Sequence, residues 1–251
     1  MKITGERVST PTGGFNPTFQ RHVAAYRLCA PFLPPGRVLD LGCGVGHSYR
    51  ELSPRESVGV DLDPSVLAGQ DRETHAADMR RLPFPDQAFA SLISVHSIEH
   101  VPDPESVLAE TVRVLESAGR AVFVTPNRLT FGRPDEIIDP YHYVEFAPTE
   151  LHALCLGFFA RVELFGLFGS ERYATLVDAE RRQLDRLLGL DPLGLRRLVP
   201  RRARQRLYDW RLRRDRAIPR LGALDIEPDD FRLAPESVEA ALDVVAVCKR
   251  G

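Results

Sequence analysis

The sequence predicts an α/β fold: a mostly parallel, doubly wound sheet of seven strands, with helices on both faces. Three observations predict it. Short apolar runs alternate with helical stretches from residue 38 onward. The first run, Val38–Leu41, breaks into three alternating glycines. After five such strand–helix units, two more apolar runs arrive late in the chain.

In chain order, residues 1–16 are rich in Gly, Pro and Thr and read as surface chain. From Pro17 to Ala30, Phe19, Val23, Ala24, Tyr26 and Leu28 fit one broad helix face, with Pro17 in the first turn and Pro31 closing it. Val38–Leu41 is the first strand, and a helix is expected from Gly46 to about Leu52. Ser57–Asp61 is the second strand, followed by a helix from Pro64 to about Gly69 and a short third strand at His75–Ala77. Phe89–Val95 is the fourth, a helix over Pro104–Leu115 begins at Asp103, and Arg120–Thr125 is the fifth. Thr149–Leu156 reads as a helix, Ala160–Phe168 as a strand and Leu242–Lys249 as the last strand.

Residues 1–251 are thus expected to form one domain: an N-terminal cap over 1–36, a core over 37–169, an Arg-rich helical insertion over 170–235 and the final strand in 236–251. The insertion reads either as a solvated helical lid or as a cap that attracts an anionic acceptor.

A net charge of −2 gives no global case for nucleic acid or membrane as partner, and no stretch has the length of a membrane span. The best candidate, 151–168, is interrupted by Arg161 and Glu163. Cys29, Cys43, Cys155 and Cys248 form no C-x-x-C pair, and residues 1–7 lack a signal-peptide core, so a cytoplasmic protein is expected. Lys2 and Lys249 are the only lysines, so arginine richness by itself does not signal phosphate recognition.

The glycine spacing carries the functional content. A dinucleotide fingerprint, G-x-G-x-x-G, would put its third glycine where this chain has His47; here Asp40, Gly42, Gly44 and Gly46 give D-x-G-x-G-x-G. Asp61 ends the second strand nineteen residues after Gly42, where a carboxylate accepts hydrogen bonds from ribose hydroxyls. Asp78-Met79 follows the third strand, and Leu82-Pro83-Phe84-Pro85-Asp86 leads into Phe89. This order resembles the class I methyltransferases (type 11/12-like), Rossmann-like proteins that bind S-adenosylmethionine (SAM) and whose sheet ends in a C-terminal antiparallel hairpin, which the two late strands at 160–168 and 242–249 match. The resemblance covers residues 36–168 and the final strand. It implies SAM as cofactor, held by Asp40, Gly42, Cys43, Gly44, Gly46, His47, Asp61, Leu62, Asp78, Met79 and Val95.

In an open α/β sheet the ligand lies beyond the carboxyl ends of the strands, so the residues after the fourth strand face the chemistry. They are His96-Ser97-Ile98-Glu99-His100. If that turn is helical, positions 96, 99 and 100 share a face. His142 follows in Tyr141-His142-Tyr143-Val144-Glu145-Phe146. Glu99, His100 and His142 resemble the metal site of small-RNA 3′-terminal 2′-O-methyltransferases, which implies a divalent cation such as Mg²⁺, with His96 in place of a carboxylate. The same residues without metal read as a general base and positioning group, His100 foremost. Tyr141, Tyr143 and Phe146 read either as a wall for a sugar ring or as core.

Thr4-Gly5-Glu6-Arg7, Thr125-Pro126-Asn127-Arg128, the His142 segment and the late Leu-Asp-Val-Val run are similar to actinobacterial-type sugar methyltransferases of methylglucose polysaccharide and mycofactocin oligosaccharide. That similarity implies O-methylation of a small-molecule or oligosaccharide acceptor. A methyltransferase of quinone or small-aromatic biosynthesis and a non-catalytic SAM-binding regulator stay open beside it, and oligomeric state is not legible.

Overall fold

A computed structural model describes residues 13–131, 136–189, 191, 194–217 and 221–251; residues 1–12, and with them Thr4–Arg7, lie outside the described residues. Five strands run parallel: β1 (Val38–Leu41), β2 (Ser57–Asp61), β3 (Thr74–Ala76), β4 (Phe89–Val95) and β5 (Leu115–Pro126). Three more, β6 (Arg161–Gly169), β7 (Phe231–Ala234) and β8 (Asp243–Lys249), pair antiparallel. Together they form one sheet in the order β3-β2-β1-β4-β5-β8-β6-β7. β8 slots between β5 and β6, so the last strand of the chain lies at the heart of the sheet.

The helices are α1 (Asn16–Cys29), α2 (Pro64–Leu67), α3 (Pro104–Val114), α4 (Pro148–Leu156), α5 (Glu171–Gly189) and α6 (Arg201–Ala217). α3 starts as its sequence dictates: Asp103 accepts from Ser106 N, and Pro104 occupies the first turn, where a missing N–H costs nothing.

Strand periodicity of two gives each sheet face its own core. Leu92, Phe123, Val244, Ala246 and Cys248 pack against Val107 and Leu108 of α3 and Leu151 of α4. Their neighbours Ile93, Val122, Val245 and Val247 pack against Ala24, Ala25 and Cys29 of α1. Full burial of each such Leu, Ile, Val or Phe contributes roughly 1.5–3 kcal/mol.

The structure corrects the sequence in three places. The segment after Gly46 makes only a 3₁₀ turn at Tyr49–Leu52, because Pro54 follows too soon and disfavours helical backbone at Ser53. Among the described residues the sheet has eight strands, not seven. Within the stretch read as helical insertion, Phe231–Ala234 adds to β6 as an edge strand, held by Ser170 and Arg172 on Asp230. Finally, of the expected face of α1, Ala24 and Tyr26 are buried and Phe19, Val23 and Leu28 half-buried, while Arg21, Ala25 and Cys29 are buried although the sequence did not place them there. All four cysteines are buried and free, and among the described residues no helix is long and apolar enough to cross a membrane.

Candidate functional site

Sheet order reverses at β1, with β2 on one side and β4 on the other; the crevice beyond their carboxyl ends is where such a sheet takes a ligand. The glycine turn sits there. Gly42, Gly44 and Gly46 have φ of +77°, +52° and +70°, the left-handed region that side chains with a Cβ rarely adopt. A Cβ on Gly42 would also collide with the Ser97 side chain, and one on Gly46 with that of Gln70. The turn is pinned to β2: Gly42 N and Cys43 N both donate to Val60 O (2.8 and 2.9 Å), and Gly44 N donates to Asp61 Oδ2 (3.0 Å).

Around this turn the structure gathers most of the expected cofactor residues. Asp61 also accepts from Asp63 N through Oδ1 (2.9 Å), and Leu62 beside it is 73% exposed. Met79 borders Gly42, and Val95 is buried at the end of β4. Hydrogen bonds from Arg80 hold the Asp78 carboxyl below its usual pKa. Asp40 differs from its expected role. It lies buried under the turn, where Tyr26 Oη (2.6 Å) and Arg72 (2.7 Å) both donate to it. Burial pushes its pKa up against those two partners, and its task is to tie α1 and the strand edge to β1.

The four chemistry candidates split into two groups. Glu99, His100 and His142 come together, each offering a ligand atom within 4.8 Å of the others. Glu99 is buried on the 3₁₀ turn Ile98–His100; its Oε2 accepts from Thr125 Oγ1 (3.0 Å), and its Oε1 is buried with no hydrogen-bond partner among the described residues. His142 Nδ1 pairs with Glu145 Oε1 (2.8 Å), which directs the opposite ring edge toward the cluster. The segment is locked by Tyr143 N donating to Glu99 O (2.8 Å). Burial lowers the pKa of His100. It also opposes a charge on His142, but the Glu145 hydrogen bond and the nearby Glu99 and Asp139 outweigh it and raise that pKa.

His96 is corrected out of that group. Its φ is +49°, and Ser97 is non-helical before the one-turn 3₁₀ helix begins, so 96 shares no face with 99 and 100. Instead His96 Nε2 meets Asp243 Oδ1 (2.9 Å) and His96 Nδ1 meets His22 Nε2 (2.9 Å). Since a carboxylate only accepts, His96 donates from Nε2; in a neutral His96 the Nδ1 then accepts from His22 Nε2, and in a charged one it donates to it. Arg21 Nε donates to the far oxygen of Asp243 (2.7 Å), closing a buried network between α1, β4 and β8.

The sequence did not point to His22, Asp243 or Arg72, and it showed Glu145 only as part of the His142 segment, with no role of its own. Two signals were present: His22 lies on the Phe19–Tyr26 helix face, and Asp243 is an acid at the mouth of the apolar Val244–Cys248 run.

His47 packs on Phe19 (ring centroids 4.7 Å) and faces His22 (5.9 Å), with Nε2 buried and without a hydrogen-bond partner among the described residues. Burial pushes its pKa down to about 4; burial, His96 and His47 push His22 down too. A histidine depressed in the folded state binds fewer protons there than unfolded, so stability falls as pH drops from 6.5 toward 4. Between pH 6.5 and 5, His47 alone is expected to remove about 1.5 kcal/mol. Urea melts at the two pH values check this: His47→Gln should shrink the difference, and an unchanged difference would contradict it.

The 139–143 segment is held from outside by α6. Tyr141 Oη donates to Asp209 Oδ2 (2.8 Å), Tyr208 Oη to Asp139 Oδ2 (2.9 Å), and Arg201 donates to Pro140 O and Tyr141 O while lying 3.6 Å over the Tyr143 ring. Tyr143 is half exposed, whereas Phe146 is core. A hollow of about 460 Å³ borders this segment, lined by Glu105, Arg128, Val144, Glu145 and Glu150 among others.

A family model described as a methyltransferase domain matches residues 39–123. The chain is 33% identical over 182 residues to a probable SAM-dependent methyltransferase of Mycobacterium tuberculosis, covering 68% of this chain and 66%, about two thirds, of that relative. A probable SAM-dependent methyltransferase of Mycolicibacterium smegmatis is 28% identical, over 100% of this chain and 95% of its own. Among solved structures, a SAM-dependent methyltransferase of Thermotoga maritima, titled a possible histamine N-methyltransferase, shares the fold with a TM-score of 0.63 at 15% identity, over 94% of this chain and 93% of its own. With three left-handed glycines at the reversal point of the same sheet, these likenesses mean that the chain belongs to the class I SAM-dependent methyltransferases.

Proposed function

We propose that this enzyme transfers the methyl group of SAM to a hydroxyl of a sugar or glycoconjugate. The observation that carries the proposal is the Glu99–His100–His142 cluster beside the crevice, with one buried carboxylate oxygen left unpartnered. Methyl transfer from a sulfonium asks little of the donor; it asks that the acceptor be held in line and that its proton be removed. SAM would lie over Gly42–Gly46, its ribose hydroxyls donating to the remaining lone pairs of Asp61, with Leu62 and Met79 on the adenine and Asp78 at its edge. Cys43, His47 and Val95 would line the same crevice.

Glu99, His100 and His142 fit a divalent cation: they converge, Glu99 Oε1 needs a partner, and Glu145 orients His142 as a ligand histidine is usually oriented. With one carboxylate and two imidazoles, and without His96, the donor set suits an imidazole-accepting cation better than Mg²⁺. When bound, such a cation supplies Lewis acidity that eases deprotonation of a coordinated hydroxyl. Without a cation, Glu99 and His142 position the acceptor and His100 takes its proton; with a cation bound, His100 is a ligand instead of the base, and in either case the exposed ring of Tyr143 offers a face to a pyranose.

The test incubates the protein with methyl-labelled SAM and a fractionated cell extract, with and without chelator. Label on a saccharide fraction, lost on chelation and restored by one added cation, is the expected result. Label on a quinone or phenol would overturn the acceptor, and undiminished labelling after thorough chelation would overturn the cation.

A further inference from the structure

One face of α6 is not accounted for by the fold or by the site. The helix uses one side to hold the 139–143 segment, through Arg201, Tyr208 and Asp209. The other side points to solvent at 202, 203, 206, 207, 210, 213, 214 and 217, and no acidic residue stands at any of these positions. At about 100° per residue, Ala203, Leu207, Trp210 and Arg214 fall within an arc of about 60°, and Arg202, Arg206 and Arg213 fill the arc beside it. Leu207 is 63% exposed and Trp210 56%, and Leu198, just before the helix, is 80% exposed.

A face built to be solvated would mix acids among its arginines, because like charges at i, i+4, such as Arg202 and Arg206, repel. Residues 195–217 instead hold ten arginines and two aspartates, in a chain whose net charge is −2. A solvated face would also not place a tryptophan and a leucine side by side. An apolar stripe edged by arginines matches a bilayer interface, with rings and leucines in the acyl boundary and guanidinium groups at anionic headgroups. A nucleic acid would satisfy the arginines but leave Leu198 and Leu207 without a partner.

We propose that α6 docks this enzyme onto an anionic membrane surface, through Leu198, Leu207 and Trp210 flanked by Arg202, Arg206, Arg213 and Arg214. The face is independent of the sugar proposal and stands or falls separately.

The molecule carries its own probe: Trp210 is the single tryptophan of the chain. The full chain is titrated with vesicles of phosphatidylcholine alone and of phosphatidylcholine with one third phosphatidylglycerol. Expected are a blue shift of tryptophan emission and co-sedimentation at least about tenfold stronger with the anionic vesicles, weakening as salt rises. Leu207→Ser and the double variant Arg206→Glu/Arg213→Glu are at exposed positions; with unchanged circular dichroism, each should reduce vesicle binding about tenfold or more. No blue shift and no sedimentation with either vesicle would overturn the proposal. So would equal binding to neutral vesicles, or salt-sensitive retention on RNA without vesicle binding.

Discussion

His100→Ala is expected to lower turnover by about 10²- to 10⁴-fold while leaving SAM affinity within about threefold, since a positioned proton acceptor contributes on that scale. The separation follows from geometry. His100 belongs to the Glu99–His142 group, while SAM affinity depends on the Gly42–Gly46 turn and Asp61. Single-turnover methylation of the saccharide acceptor, beside calorimetric SAM binding, measures both. Turnover close to wild type would remove His100 from the chemistry. Loss of SAM binding in folded protein would mean that the two groups of residues are not separable.

Asp243→Ala is expected to cost about 3–5 kcal/mol of folding stability, the usual consequence of leaving a buried cation without its partner. Asp243 is fully buried, and the Arg21 side chain facing it is 11% exposed. Arg21, with some help from His96, holds the Asp243 carboxyl far below the ordinary carboxylate range even though burial alone would raise it. Chemical denaturation followed by far-ultraviolet circular dichroism reads the loss. The double variant Arg21→Leu/Asp243→Leu should recover most of it, because the pair is then replaced by apolar volume. A single variant that loses less than about 1 kcal/mol would mean that Arg21 finds water or another acceptor.

Why one network was legible in the sequence and the other was not is a matter of chain distance. The glycine turn is local: seven consecutive residues, 40–46, contain the whole requirement, and each glycine answers to a backbone angle that only glycine adopts easily. β1, β2 and β4 match the expected bounds because each apolar run is bracketed by turn residues or charge. The Glu99–His100–His142 group was legible through a family resemblance, and its geometry gathers those three without His96. His22, His96 and Asp243 come from 22, 96 and 243, and nothing local states that α1, the end of β4 and the start of β8 meet. β7 escaped because Phe-Arg-Leu-Ala before Pro235 has no β-branched residue and only one turn of alternation; it is a strand because β6 has an open edge, and the Arg232 guanidinium covers the Phe168 ring on β6. The helix expected after Gly46 failed for lack of room before Pro54. In α6 the positions of the arginines were plain, but which of them faced inward depended on where the 139–143 segment lay.

The central claim is that SAM sits on the Gly42–Gly46 turn, and isothermal calorimetry of the full chain with SAM and with S-adenosylhomocysteine tests it most directly. Saturable heat from both is the predicted result, lost in Gly42→Ala, whose Cβ has no room against Ser97 and whose φ of +77° an alanine resists. Absence of heat from the folded wild-type chain, or unaltered affinity in folded Gly42→Ala, would contradict it.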